Sequence, residues 1–327
     1  MPGGCEESHI CAVWSALLLR LAGRFCLRSL ACFFTAFFRE WIRLRRNRGY
    51  RIKRRHTMQK DRRQAGYDYV KQVSDSQNFL TSRKLIQRIV RLAEFQKEDL
   101  VLEIGTGKGH LTEALCQKAG KVCSVEIDRE LMENARKRLT KYSNVELVVG
   151  DFMKYHLPGK GAYQVFANIP FFLTTQIVEK LTSGANPPTD IWLVMEKGAA
   201  KRFMGLPKET KKSLELKVGW EIKTVYHFRR EDFHPKPSVD CVLVHFRKKA
   251  VPDLNRGEYR EFQQFIERAM KYGMTGKGGP LTKRQVTAAL RRAGLSYAHE
   301  DGVTLYIQWL CLFRCYQELR FPAKGRK

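Results

Sequence analysis

Apolar residues along this chain keep two different rhythms. Between residues 99 and 246 they gather in short unbroken runs: Asp99–Gly105, Lys121–Asp128, Val145–Val149, Tyr163–Ala167, Ile191–Met195 and Val242–Phe246. Runs of this length, rich in Val, Ile and aromatic residues, predict strands buried on both faces, as in parallel sheets connected by helices. From Tyr259 onward the spacing becomes helical. Helices are expected over Tyr259–Tyr272, Thr282–Ala293 and Thr304–Leu319, with Gly273, Gly276, Gly278, Gly279 and Pro280 separating the first pair. Phe262, Phe265, Ile266 and Met270 form a stripe expected in the core. The architecture implied is a Rossmann-like α/β sheet covered by helices on both faces over residues 58–247, then a small all-helical domain over 248–327.

The ends of the strand runs carry the candidate chemistry. After the first comes Gly105-Thr106-Gly107-Lys108-Gly109-His110, where glycines allow a sharp turn and close approach to a ligand before a helix. The spacing E-x-G-x-G-x-G is not the G-x-G-x-x-G of dinucleotide dehydrogenases, and no G-x-x-x-x-G-K-[ST] phosphate loop passes through Lys108. NAD and ATP are therefore disfavoured. Glu126 ends the second run, 21 residues beyond Gly105, where a carboxylate can accept both ribose hydroxyls. Its alternative role, capping the next helix, suits Asp128 better. Asp151 follows the third run and can accept from an adenine amino group, with Phe152 flanking the ring. Three strand ends converge on an adenosine-like ligand. The fourth run leads into Asn168-Ile169-Pro170-Phe171. The Asn168 side-chain oxygen and a main-chain carbonyl beside Pro170 can hold the N–H groups of an exocyclic adenine amine, a poor nucleophile that benefits from fixed acceptors. Phe171 can stack on a base turned out of its own stack.

With Ser76-Gln77-Asn78-Phe79-Leu80, Glu103–His110, Asn168–Phe171 and Phe233-His234-Pro235-Lys236-Pro237-Ser238-Val239 in order, the stretch Ser76–Leu319 resembles the ribosomal RNA adenine N6-methyltransferases, and within them the erythromycin-resistance (Erm) type acting on 23S rRNA. The resemblance implies S-adenosylmethionine as methyl donor, with Asn78, Leu80, Gly105, Glu126, Asp151 and Asn168 around it. It also implies that Asn168 holds the target amine, Phe171 stacks on the adenine and Phe233 covers its other side. Relatives mostly carry tyrosine where Phe171 stands; stacking survives the change, whereas any hydroxyl contact is lost. Thr106, Lys108, His110 and Ile169 favour the 23S type over the small-subunit rRNA dimethylase. The implied phenotype is resistance to macrolide, lincosamide and streptogramin B drugs. Two rival readings are a non-catalytic RNA-binding factor of the same fold, against which intact Glu126, Asp151 and Asn168 argue, and a DNA adenine methyltransferase.

Charge agrees with a polyanionic partner: 60 Lys and Arg face 33 Asp and Glu, a net charge of +27. Lys197, Lys201, Arg202, Lys208, Lys211 and Lys212, with Arg229 and Arg230, are expected to contact phosphates without reading sequence. Pro207 to Lys212 looks like a mobile loop. In the helical segment Lys271, Lys277, Lys283, Arg284, Arg291 and Arg292 suit the same purpose. The expected partner is 23S rRNA, protein-free or precursor, met by a cytoplasmic monomer.

Residues 1–57 fit neither rhythm, holding 12 Lys and Arg against 3 acids. Arg20, Arg24 and Arg28 interrupt the apolar stretch, and the uncharged run Ser8–Leu19 is 12 residues, short of the about 20 that span a membrane. No stable membrane association is expected. A targeting peptide or a membrane-surface helix would suit the composition. The preferred reading is a basic extension, non-native or disordered, with translation starting at Met58, because the resembled proteins begin shortly before Gln77-Asn78. Nine cysteines without C-x-x-C, and eight dispersed histidines, imply no metal site and suit a reducing compartment. His110 is expected to shape the glycine turn through a hydrogen bond.

Overall fold

A computed structural model describes residues 68–70, 72, 77–295 and 305–320. The chain divides into a unit of residues 1–69 and a unit of residues 70–327, and the architecture below belongs to the second. The readings of residues 1–57, of Met58 and of Ser76 fall outside the described residues.

The order of elements is a two-residue strand β1 (Phe79–Leu80), α1 (Arg83–Arg91), β2 (Leu100–Ile104), α2 (His110–Cys116), β3 (Lys121–Glu126), α3 (Arg129–Leu139), β4 (Val145–Val149), β5 (Gln164–Asn168), α4 (Thr174–Thr182), β6 (Asp190–Glu196), α5 (Lys197–Met204), α6 (Lys211–Lys217), β7 (Trp220–His227), the two-residue β8 (Phe233–His234), β9 (Cys241–Lys248), α7 (Arg256–Tyr272), α8 (Lys283–Arg292) and α9 (Tyr306–Arg320). Seven strands form one sheet in the order β4-β3-β2-β5-β6-β9-β7. β2 to β6 run parallel, and β9 lies antiparallel between β6 and β7. The chain reverses its direction of winding between β2 and β5. Ligands of such sheets bind outside the carboxyl ends at that switch point.

The six apolar runs all form strands, as their composition requires. β7 is an additional edge strand that the runs do not announce: Trp220-Glu221-Ile222-Lys223 alternates, and a bulge lies between Thr224 and Tyr226. The segment read as a loop over Pro207–Lys212 ends at Thr210. There the Thr210 hydroxyl accepts from Ser213 N at 3.1 Å and the Ser213 hydroxyl accepts from Thr210 N at 2.8 Å, so α6 starts at Lys211. This capping box overrides the loop-like composition.

The three carboxyl-terminal helices appear where the periodicity placed them, α9 beginning at Tyr306. Phe262, Phe265 and Ile266 are buried with Phe313, Trp309, Val286 and Leu290. Met270 is a correction: it is 43% exposed, because Ala269 takes the inward position of that turn and Met270 is rotated about 100° further around the helix. Leu214 and Val218 join this apolar cluster, and Gln263 Nε2 donates to Glu215 at 3.1 Å. Among the described residues no helix is long and apolar enough to cross a membrane.

Candidate active site

The glycine turn is built as its residue types demand. Gly105, Gly107 and Gly109 all have positive φ, at 82°, 51° and 76°, a region that L side chains with a Cβ avoid. Gly107 has a second reason to lack a side chain: a Cβ there would lie 2.8 Å from the Phe79 ring. The turn is locked from the next strand. Glu126, at the carboxyl end of β3, accepts from Gly107 N at 2.9 Å and from Asp128 N at 3.0 Å. Asp128 in turn caps α3 through Glu130 N and Leu131 N. Burial pushes the Glu126 carboxyl above the usual range, against the hydrogen bonds that lower it.

Beneath the turn lies a polar chain that sequence reasoning missed. Glu103 in β2 is fully buried, and its Oε2 accepts from Thr112 Oγ1 at 2.6 Å and Ser124 Oγ at 2.5 Å. The Ser124 proton is committed to Glu103, so Thr106 Oγ1 is the donor in its 2.6 Å contact with Ser124. Glu103 Oε1 is buried without a partner. Desolvation raises this carboxyl to about 8, so it is largely protonated at neutral pH. One sequence signal was available: a carboxylate in the middle of an otherwise apolar strand is worth explaining.

Asp151 follows β4. Its Oδ1 accepts from Met153 N at 2.8 Å, and Lys154 approaches Oδ2 at 3.8 Å. Phe152 is buried, with Lys180 Nζ 5.2 Å above its ring. That ammonium is held by the carbonyls of Met153 and Tyr155 at 2.8 and 2.7 Å.

Asn168 ends β5 beside the switch point. Its Nδ2 donates to the Asn78 carbonyl at 2.7 Å, which leaves Oδ1 as the acceptor of that side chain. Two motifs 90 residues apart are thereby joined. The Pro170 carbonyl accepts from Leu173 N at 3.1 Å, so the Ile169 carbonyl is the remaining main-chain acceptor beside Pro170. Phe171 opens a short 3-10 turn and is half-buried against the core. Phe172, which the sequence reading passed over, is 42% exposed next to it.

The Phe233 motif reaches the same region through β1 and β8. Leu80 pairs with Phe233 and Phe79 with His234, and Thr81 N donates to the Asp232 carbonyl at 3.0 Å. Phe233 itself is 3% exposed, edge-on to Phe228 at 5.3 Å. It lies in the core here and does not present a free face. Leu80 is likewise buried. The structure thus gathers Asn78, Gly105, Glu126, Asp151 and Asn168 at strand ends or at the segments tied to them. The expected hydrogen bond from His110 is not found among the described residues: its Nδ1 is buried without a partner.

The expected phosphate contacts divide into two groups. Lys197 and Arg230 share Asp240, Lys211 pairs with Glu267, and Lys212 pairs with Glu179 at 2.6 Å. Lys201, Arg202, Lys208 and Arg229 are exposed, and no ion pair to a carboxylate engages them among the described residues.

The sequence and the fold have counterparts among known proteins. The rRNA adenine N-6-methyltransferase of Bacillus anthracis is 37% identical over 244 residues, covering 72% of this chain and 84% of the relative. The crystal structure of the 23S rRNA methyltransferase ErmE superposes with a TM-score of 0.66 at 28% identity, covering 73% of this chain and all of that one. A dimethyladenosine transferase from Plasmodium falciparum shares the fold, with a TM-score of 0.59 at 22% identity over 76% of this chain and 98% of its own. The family model described as ribosomal RNA adenine dimethylase matches residues 70–293, more than half of the sequence, and the chain therefore belongs to that family.

Proposed function

We propose that this protein transfers a methyl group from S-adenosylmethionine to N6 of one adenine in 23S rRNA, and so confers resistance to macrolide, lincosamide and streptogramin B drugs. Membership of the family makes it an rRNA adenine N6-methyltransferase. The 23S target is the finer reading. It draws support from the likeness to ErmE, at higher identity and TM-score than the dimethyladenosine transferase, and from Thr106, Lys108, His110 and Ile169 in the two motifs.

The residues present fit the cofactor. A Cβ added at Gly105 would find no atom nearer than Asn168 O at 4.0 Å, so this turn leaves room for a ligand against the backbone. Gln77 Oε1 is a buried acceptor without a partner next to Asn78. In this reading Gly105, Asn78 and Leu80 bound the pocket, Glu126 accepts from the ribose and Asp151 from the adenine amino group. When bound, S-adenosylmethionine supplies an electrophilic methyl on sulfonium sulfur.

Catalysis rests on position and on fixed dipoles. The single observation that carries it is the 2.7 Å hydrogen bond from Asn168 Nδ2 to the Asn78 carbonyl. That bond fixes the amide so that Oδ1 accepts from the target amine, with the Ile169 carbonyl as the second acceptor. Holding both N–H groups favours a pyramidal nitrogen with its lone pair available for attack. Phe171 stacks on the extruded base, and Phe233 supports the strand pair behind it, its other role requiring a turn of the ring out of the core. No general base of high strength is needed, because the amine loses its proton after the methyl has been transferred. The catalytic domain is taken as residues 58–247 and the RNA-binding helical domain as 248–327.

Transfer of labelled methyl to protein-free 23S rRNA and to small ribosomal subunits, run in parallel with the modified base mapped, tests the proposal. One labelled adenine in 23S rRNA supports it. Label on small subunits alone would move the chain to the small-subunit dimethylases of the family.

A further inference from the structure

We infer that a basic cleft between the glycine loop and helix α3 is a second binding site for RNA backbone, separate from the tetrapeptide that holds the target base. The inference rests on the proposed rRNA substrate and extends it to a face with no assigned role. The cleft has a volume of about 710 Å³, and none of its lining residues belongs to Asn168–Phe171. Five cations line it: Arg83 from the start of α1, Lys108 from the glycine loop, Lys137 and Arg138 from the last turn of α3, and Lys141 just beyond.

One carboxylate, Glu113, faces those five charges. It is already engaged by Lys141 at 2.8 Å and Arg138 at 3.7 Å, and it accepts from the Tyr142 hydroxyl at 3.4 Å. The cleft therefore keeps about four positive charges in excess. Arg83 and Lys137 are exposed, and neither pairs with a carboxylate among the described residues. Lys108 rests 5.1 Å above the Phe79 ring, a contact that leaves its charge uncompensated. Lys137 and Arg138 sit at a helix carboxyl end, where the helix dipole favours cations without any ligand. Arg83 has no such explanation. It occupies the first position of α1, where the dipole disfavours a cation and where the first turn holds no acid. The resulting field is felt nearby: after burial, Arg138, Arg83 and Lys108 all hold His110 below its ordinary pKa.

The cleft suits a polyphosphate chain better than other anions. Among its lining side chains Leu131 alone is apolar, so there is no apolar flank to enter a lipid surface. Its cations come from separate elements along an open trough, which matches successive backbone phosphates better than one enclosed ion. Such contacts position a nucleic acid without reading its sequence, and they make binding depend on salt.

The double variant Arg83→Glu, Lys137→Glu tests the inference, since both side chains are exposed and neither belongs to the cofactor pocket. The readouts are methyl transfer to full-length 23S rRNA across a salt series, and affinity for S-adenosylmethionine. The expected result is a KM for RNA raised about 10-fold at low salt and a logarithmic salt slope smaller by about 1–2, with kcat and cofactor affinity unchanged. The neutral pair Arg83→Gln, Lys137→Gln should give a smaller shift in the same direction. An unchanged KM and slope would overturn the inference. So would micromolar binding of inorganic pyrophosphate that the double variant abolishes while the KM for RNA stays put, since that would make the cleft a small-anion site. If the wild-type protein methylated no RNA, the proposed activity would fail by itself. Filter binding of the same RNA to wild type and variant would then still report on the cleft, equal affinities overturning it.

Discussion

The carboxyl edge of the sheet and the core of the helical segment are buried to similar depth but made of opposite materials. Glu103, Thr106, Thr112, Ser124 and Glu126 are all buried within β2, β3 and the turn and helix between them. In the helical segment the buried polar side chain among the described residues is Gln308 alone, and aromatic rings fill the interior, with Phe262 5.1 Å from Phe313 and Phe265 5.3 Å from Tyr316. Burying a carboxylate is costly unless something satisfies it. The contrast teaches that the helical interior is built for cohesion, whereas the sheet edge gives up cohesion to hold the glycine turn in one shape.

Removing a ring from the cohesive side should have the largest effect. Phe265→Ala is expected to lower stability by about 3–5 kcal/mol, read as a drop in the urea midpoint, with kcat of the folded protein kept. A cost below about 1 kcal/mol would mean that this core tolerates the loss by collapse and that the contrast is overdrawn.

On the polar side, Asn168→Ala should leave stability nearly unchanged and reduce kcat by about 10²–10³-fold, the usual cost of deleting a positioned transition-state acceptor. Single-turnover methyl transfer measures it, and an undiminished rate would take Asn168 out of the chemistry. A weaker effect is expected at Phe171. Its replacement by alanine should lower kcat/KM by about 10–100-fold, matching about 1–3 kcal/mol of base stacking, and Phe171→Tyr should keep most of the activity. If alanine and tyrosine behaved alike, the ring would be packing rather than a platform for the base.

The remaining prediction concerns Glu103, and it appears as a pH dependence. Its folded-state value of about 8 lies above the ordinary 4.5, so the folded protein keeps a proton that the unfolded chain releases. The stability from this group is complete below about 4.5 and is lost as pH rises through about 8. Glu103→Gln mimics the protonated acid. Thermal midpoints of the variant and wild type should coincide near pH 5, with the variant ahead near pH 9; parallel curves across that range would show that Glu103 ionises freely in the fold.

Much of this molecule was legible in the sequence, for identifiable reasons. The parallel strands were visible because burial on both faces leaves unbroken apolar runs, as in Leu193-Val194-Met195. Asp128 could be read as a helix cap and Glu126 as the strand-end acid, since both roles are local. β7 was hidden because an edge strand alternates, and Glu221 and Lys223 make it resemble a surface segment. Met270 shows the limit of stripe counting, where one small residue, Ala269, took the inward place. The Glu103–Ser124–Thr106 chain and the Asn168–Asn78 bond were beyond reach because each depends on strand register across distant residues. The core position of Phe233 has the same origin: the motif names the residue, and only the pairing of β1 with β8 says which way the ring turns.

That last pairing also sets an order of events in the life of the chain. Thr81 and Asp232 are joined across a separation of 151 residues, so most of the sheet must be made before β1 has a strand to pair with. Contacts of such high order come late, after the entropy of the intervening loop has been lost. During synthesis the segment carrying Asn78 has no partner strand until residue 234 has emerged. A truncated product ending before β8 would therefore carry every glycine of the turn without the strand that pairs with the neighbour of Asn78.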